Sequence, residues 1–401
     1  MQIRKVMAAL AALILAVGVA ACGGSDNDSS ASSGGGSDGG GLTGTIKIGV
    51  PLDTSGSAAV AGIGTLEKRG VELAAKEIRE TKFLGDANLE LVMVDTKADK
   101  QEAVKAVRDL ISREKVHAIV GFTLTPSFLA AGPIAQQQGV PVMTVGLSAD
   151  GVTEVGDYVY RIYPSLSRLF EKSDPEFLKS IGAKTAAFLY GNDTETTVGQ
   201  FKKRQEIVKE LGIKTVEVQT VTAQDTDVRA QLTQIKNAKP DVFFINVNSG
   251  QQPGILVQAR EIGLLPNTPM IGDVGFGAEP TRKQAAKAMQ CALFATTYTP
   301  DNKTGRNPEF VKLYAEEYDG DTADDFGAWG YDALWAVARA IKAANSTEPE
   351  AIRDALKTLK VSGALGDYGW DETRQPTQEP TMLQVVDGKL EHWTPESTCE
   401  R

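Results

Sequence analysis

Nothing restricts the fold of this chain more than a strict alternation of strand and helix patterns that runs, stops and starts again. Residues 45–50 (TIKIGV) alternate and are β-branched, which predicts a strand. A Gly/Ser/Ala-rich loop fills 51–64, and Val71, Ala74, Ala75 and Ile78 then recur at helical spacing. A second strand is expected over 89–94. A helix follows through Ala103, Val104, Val107, Leu110 and Ile111, and strands at 117–120 and 140–145 complete the first run. The pattern restarts at 186–190. Strands are then predicted at 215–221, 241–247, 270–272 and 293–297, with helices marked by Ile207 and Leu211, by Val228, Leu232 and Ile235, and by Ile255, Leu256, Ala259 and Ile262. Such βαβα order gives parallel sheets covered on both faces by helices. The expected fold class is therefore α/β, with two doubly wound, Rossmann-like lobes. Ligands of such sheets bind beyond the carboxyl ends of the strands. A cleft between two such lobes is a preferred place for a small molecule.

The N-terminal residues have a different character. Arg4 and Lys5 are followed by an apolar run from Val6 to Ala21 that stops at Cys22. Basic start, apolar stretch and small residues before a cysteine are the layout of a secretory signal, too short to be a comfortable membrane span. Val19-Ala20-Ala21-Cys22 resembles the bacterial lipobox, which implies that Cys22 is acylated and becomes the first mature residue. Residues 23–43 are almost entirely Gly, Ser, Asp and Asn and cannot bury a core. As a flexible tether they would span on the order of 25 Å. The expected layout is a signal peptide at 1–21, a lipidated cysteine and tether at 22–43, and a folded part from Gly44 onward, extracytoplasmic and held at the cell membrane by its lipid.

The formal charge of −10 becomes more negative once Arg4 and Lys5 are removed, which argues against nucleic acid as a partner. Cys291 and Cys399 remain as an even pair, and in an exported protein they predict a disulfide tying the tail to the body. No catalytic constellation emerges. The chain's two histidines, His117 and His392, have no recognisable partners, and metalloprotease, nucleophile-elbow, P-loop and CxxC motifs are absent. Gly56, Gly62 and Gly64 do not have dinucleotide-fingerprint spacing. The adjacent acids Asp324 and Asp325 are expected on a solvated face. No enzyme activity, cofactor or metal is expected.

Four segments carry a resemblance. They are IKIGVPLDTSGSAAVAGIGTLEKRGVELA, IVGFTLTPSFLAAGPIAQQQGVPVMTVGLSADGVTEVG, PDVFFINVNSGQQPGILVQAREIGL and FGAWGYDALWAVARAI. In this order and spacing the chain from Ile46 to about Trp393 resembles the type I periplasmic binding proteins of the leucine/isoleucine/valine-binding group. The resemblance implies two lobes joined by three hinge crossovers, near Tyr163-Pro164, Thr297-Tyr298 and Leu365-Gly366. Lobe 1 would comprise 44–163 with 298–365, lobe 2 would comprise 164–297 with 366–395, and 396–401 would form a tail. It also implies a solute-binding lipoprotein that closes on a ligand and delivers it to an ABC permease. A ligand-sensing receptor of the same fold would read identically.

Residue by residue, the resemblance implies that Thr125 supplies a hydroxyl for a ligand carboxylate and that Gly146 and Ser148 supply a carbonyl and a second hydroxyl. The second lobe departs from the group's pattern. Asn248 stands where an aromatic residue is expected, and Val274 stands where the acidic anchor for an α-ammonium is expected, with Asp273 immediately before it. An aromatic residue of the first loop is replaced by Ala61. Together with Ser249, Gln251 and Gln252 these changes favour an amide or small carboxylate over leucine. Phe122, Tyr190, Phe326 and Trp329 are the candidate apolar walls.

Overall fold

The computed structural model describes residues 41–400, so the signal, Cys22 and most of the tether lie outside the described residues. The first sheet has the order β2-β1-β3-β4-β5 and is parallel throughout. Its strands are β1 (Thr45–Leu52), β2 (Asn88–Asp95), β3 (Ala118–Gly121), β4 (Val142–Thr144) and β5 (Val159–Arg161). Helices α1 (Ala58–Glu80), α2 (Lys100–Ser112) and α3 (Thr125–Gln137) connect them. Ile46, Ile48 and Val50 are fully buried, as expected for a strand covered on both faces.

The second sheet has the order β14-β13-β10-β9-β8-β6-β7. Following α4 (Leu166–Ser180), strands β6 (Thr185–Gly191), β7 (Lys214–Val221), β8 (Val242–Asn246), β9 (Met270–Ile271) and β10 (Leu293–Thr296) run parallel. They alternate with α5 (Glu195–Glu210), α6 (Arg229–Ala238), α7 (Gln252–Glu261) and α8 (Glu279–Ala285). The sequence reading missed the last two strands, β13 (Thr381–Val386), antiparallel to β10, and β14 (Lys389–His392), antiparallel to β13. Their turn is Asp387-Gly388, and both residues have positive φ, the backbone that a two-residue hairpin requires. Beside this hairpin, Cys291 and Cys399 form a disulfide across 108 residues.

Between β10 and β13 the chain returns to the first lobe with α9 (Asn307–Glu317), α10 (Asp325–Ala344) and α11 (Pro349–Thr358), then forms the small pair β11 (Val361–Gly363) and β12 (Gly366–Tyr368). Ala364-Leu365 is the turn of this pair, and the chain enters the second sheet only after a bridge between Trp370 and Pro376. Helix α10 lies across α1 so closely that glycine is required. A Cβ on Gly70 would stand 1.9 Å from the carbonyl oxygen of Gly327, and one on Gly330 would stand 2.2 Å from that of Glu67. This crossing brings the first turn of α10 to the carboxyl ends of the first sheet.

Candidate functional site

The loops that leave the carboxyl ends of β3 and β4 carry the residues expected to form one wall of the cleft. Thr125 is the first residue of α3, behind an N-cap residue, Leu124, that makes no side-chain capping bond. The first amides of α3 therefore lack a side-chain cap, and such amides favour an anion. Thr125 is buried and Ser148 half-buried, and neither hydroxyl has a partner among the described residues. Ser148 is held through its backbone instead, its carbonyl accepting the Leu166 amide at 2.8 Å.

Two charged residues that the sequence reading did not single out support this wall. Arg161, at the end of β5, is fully buried and donates to the carbonyls of Tyr163 (2.6 Å), Ala149 (3.0 Å) and Leu147. Burial pushes its pKa down to about 10, so at neutral pH a positive charge lies under the loop that carries Ser148. Glu67 reaches the same loop from α1. Its Oε2 accepts the Thr123 hydroxyl at 2.6 Å, and Thr123 in turn accepts the Asp53 amide at 3.1 Å. Its Oε1 is buried without a partner and stands 2.4 Å from where a Cβ on Gly146 would be. A side chain at 146 would therefore collide with this carboxyl, which gives a physical reason for glycine there. Burial raises the Glu67 pKa well above the ordinary range, opposed by the Thr123 bond and assisted by the nearby charges of Asp53 and Asp324.

The aromatic candidates divide. Phe122 is a correction: its ring is 1% exposed and packs edge-on against Phe128 at 5.3 Å, inside the core of the first lobe rather than on the cleft. It has φ +70°, and this turn directs the ring inward. Trp329 is also buried, but its ring lies 4.2 Å from that of Tyr163, at the first passage between lobes, and 5.0 Å from that of Phe326. Tyr190, near the end of β6, is half-buried and stacked on Phe201 at 4.1 Å.

In the second lobe Asn248 is half-buried, and its carbonyl accepts the Gln251 amide at the entry to α7. Gln251 donates its side-chain amide to the Thr222 and Asp225 carbonyls, bracing that loop, while its Oε1 is buried without a partner. Asp273 is buried and accepts from Gln252 Nε2 (2.8 Å), the Gly275 amide (2.9 Å) and Gln200 Nε2 (3.2 Å). Burial raises its pKa, and these bonds together with the Arg204 charge oppose the rise. Arg204 is itself committed to Asp174 at 2.8 Å and to the Gly272 carbonyl at 2.7 Å. Val274, beside it, packs partly buried against the core.

Asp324 and Asp325 are half-buried and engaged rather than free on a solvated face, which is a second correction. Asp324 caps α10 by accepting the Gly327 amide at 2.9 Å, and Asp325 accepts the hydroxyl of Thr296 at the end of β10. Burial lifts their pKa values to about 6 and about 7. Adjacent acids do point apart, as their spacing implies, but here each meets a buried partner because α10 begins at the passage between the lobes.

Comparison with known proteins agrees with this architecture. The sequence matches the periplasmic binding protein family over residues 45–389. The Leu/Ile/Val-binding protein homolog 7 of Brucella abortus is 27% identical over 370 residues, covering 86% of this chain and 90% of the relative. A leucine-binding protein, LivK, of Thermotoga maritima superposes with a TM-score of 0.78 at 27% identity, over 87% of this chain and 98% of that one. LivJ of Streptococcus pneumoniae, solved with isoleucine, gives the same score and identity over 86% and 98%. A solute-binding protein of Rhodopseudomonas palustris, solved with 3,4-dihydroxybenzoic acid, scores 0.75 at 25% identity, over 86% and 95%. With two lobes of parallel sheet and a family match over most of its length, this chain belongs to the type I periplasmic binding proteins.

Proposed function

We propose that the protein is an extracytoplasmic solute-binding lipoprotein that captures a small amino acid or a related carboxylate or amide between its lobes and delivers it to an ABC importer. Lipidated Cys22 anchors it, and residues 44–163 with 298–365 close against 164–297 with 366–395. The observation that carries the ligand class is the pair of unpartnered hydroxyls, Thr125 and Ser148, beside the uncapped start of α3 and above the buried charge of Arg161. A carboxylate docked there would receive hydroxyl and amide hydrogen bonds in a region of positive potential. The relatives support this reading, since their ligands include isoleucine and 3,4-dihydroxybenzoic acid, both carboxylates. Asn248 and Asp273 then meet the remaining end of the ligand, with Gly146, Tyr190, Phe326 and Trp329 around it. The ligand's greater affinity for the closed arrangement drives closure.

A thermal-shift screen of amino acids, their amides and small carboxylates tests the proposal, because a ligand of the native state raises Tm by mass action. We expect a shift with carboxylates and a loss of about 10- to 100-fold in affinity for Thr125→Ala and Ser148→Ala, the effect of removing a hydrogen bond to a charged group. Binding that both variants leave unchanged would refute the site. Asp273→Asn separates ligand classes: it weakens α-amino acids selectively if Asp273 holds the ammonium.

A further inference from the structure

The passages between the lobes carry an unusual concentration of buried polar atoms with nothing to bond. Tyr163 OH on the first passage and Thr297 Oγ1 and Tyr298 OH on the second are all inaccessible and unpartnered, as is Trp329 Nε1 on the adjoining turn of α10. Natural proteins satisfy nearly all such atoms, so a cluster of orphans calls for an explanation. Tyr163 is the informative member. Its ring is fully buried against Trp329 at 4.2 Å, and its hydroxyl lies within electrostatic reach of Asp325 from the first lobe and of Asp273 and Arg204 from the second. None of these groups turns to it. Asp325 takes the Thr296 hydroxyl, Asp273 takes two glutamine amides and a backbone N–H, and Arg204 is bound to Asp174 and to the Gly272 carbonyl. Arg161, the remaining charge nearby, donates to backbone carbonyls, that of Tyr163 among them. Arg204 Nη1 is likewise buried without a partner, so the hydroxyl and this guanidinium nitrogen are both left unsatisfied.

We infer that Tyr163, with the indole of Trp329 beside it, is a specificity-determining contact that reads a second hydrogen-bond acceptor on the ligand, distinct from the carboxylate. This inference rests on the proposed solute-binding reading and narrows it. An indole N–H only donates and a phenol donates readily, so the matching group is a hydroxyl, amide or carboxylate oxygen rather than an aliphatic end. Burial keeps the phenol protonated and able to donate. A ligand with a methyl group at this place leaves both donors unpaired, and sites built around buried donors reject such analogues strongly.

The test compares wild type with Tyr163→Phe, which keeps the ring and removes only the hydroxyl. The probes are near-isosteric pairs that differ at the remote end: L-asparagine against L-leucine, and 4-hydroxybenzoate against 4-methylbenzoate. We expect wild type to bind a polar member about 10-fold or more tightly than its apolar twin, and Tyr163→Phe to erase most of that ratio. Tm is also measured without ligand. Removing an orphan hydroxyl relieves a buried unpaired group, so Tyr163→Phe is expected to melt about 2–4 °C higher; a hydroxyl with a structural partner would give a lower Tm. A preference for the apolar twins, a ratio unchanged in Tyr163→Phe, or a lower Tm of the unliganded variant overturns the inference. If no probe shifts wild type, the carboxylate reading fails, while the unliganded comparison still decides the status of Tyr163.

Discussion

Replacing Glu67 by glutamine gives a prediction whose size follows from the structure. The carboxyl is fully buried, one oxygen accepts the Thr123 hydroxyl at 2.6 Å, the other has no partner, and the charges that raise its pKa are those of acids, Asp53 and Asp324. Its folded pKa therefore lies well above the unfolded one. Between those two values the native state holds a proton that the unfolded state has released, so stability falls as pH rises, by about 1.4 kcal/mol per pH unit. Glutamine fits the same space: its carbonyl oxygen accepts from Thr123 and its amide takes the place of Oε1. It carries no titrating proton, so this part of the slope disappears. Asp324, Asp325 and Asp332, lifted by burial to about 6, about 7 and about 6, keep their slopes in both proteins and cancel in the comparison. The free energy of unfolding from urea titrations at several pH values should therefore show Glu67→Gln gaining on wild type as pH rises above the unfolded carboxyl range, by up to about 1.4 kcal/mol per pH unit. Parallel curves, or a variant destabilised by more than about 2 kcal/mol throughout, would refute the argument that Glu67 is neutral in the folded state.

Two further perturbations address the scaffold. Gly70→Ala places a Cβ 1.9 Å from the Gly327 carbonyl oxygen and 2.8 Å from the Tyr331 nitrogen, both backbone atoms of α10, so α1 and α10 must separate. A loss of about 3 kcal/mol is expected in denaturant titration, whereas Gly62→Ala on the same helix has nothing within 4 Å and should be neutral or stabilising by up to about 1 kcal/mol. Reducing the Cys291–Cys399 disulfide, which closes a 108-residue separation, should lower the denaturation midpoint by the equivalent of about 2–4 kcal/mol, and an unchanged midpoint would place no stability in that link.

By itself the sequence determined the class of fold. Strands with Ile, Val and Phe on both faces and helices with apolar residues at 3.6-residue spacing can bury their surfaces only as covered parallel sheets, and that information is local. That the Thr125 and Ser148 loops follow β3 and β4 was legible for the same reason, because strand ends are read from the same pattern. Beyond that, periodicity says nothing about which distant groups meet. Asp325 looked like a solvent-facing acid until α10 was laid across α1, which sets it against Thr296 at the end of a strand in the other sheet. Phe122 looked like a pocket wall because its loop faces the cleft, yet a left-handed backbone at that residue turns the ring into the core. Glu67 and Arg161 carry no local sign that they are fully buried, which is a property of the assembled tertiary structure. Local sequence fixes backbone propensity and the apolar face; the environment of a polar atom is set by groups brought from hundreds of residues away, and only the packed fold decides it.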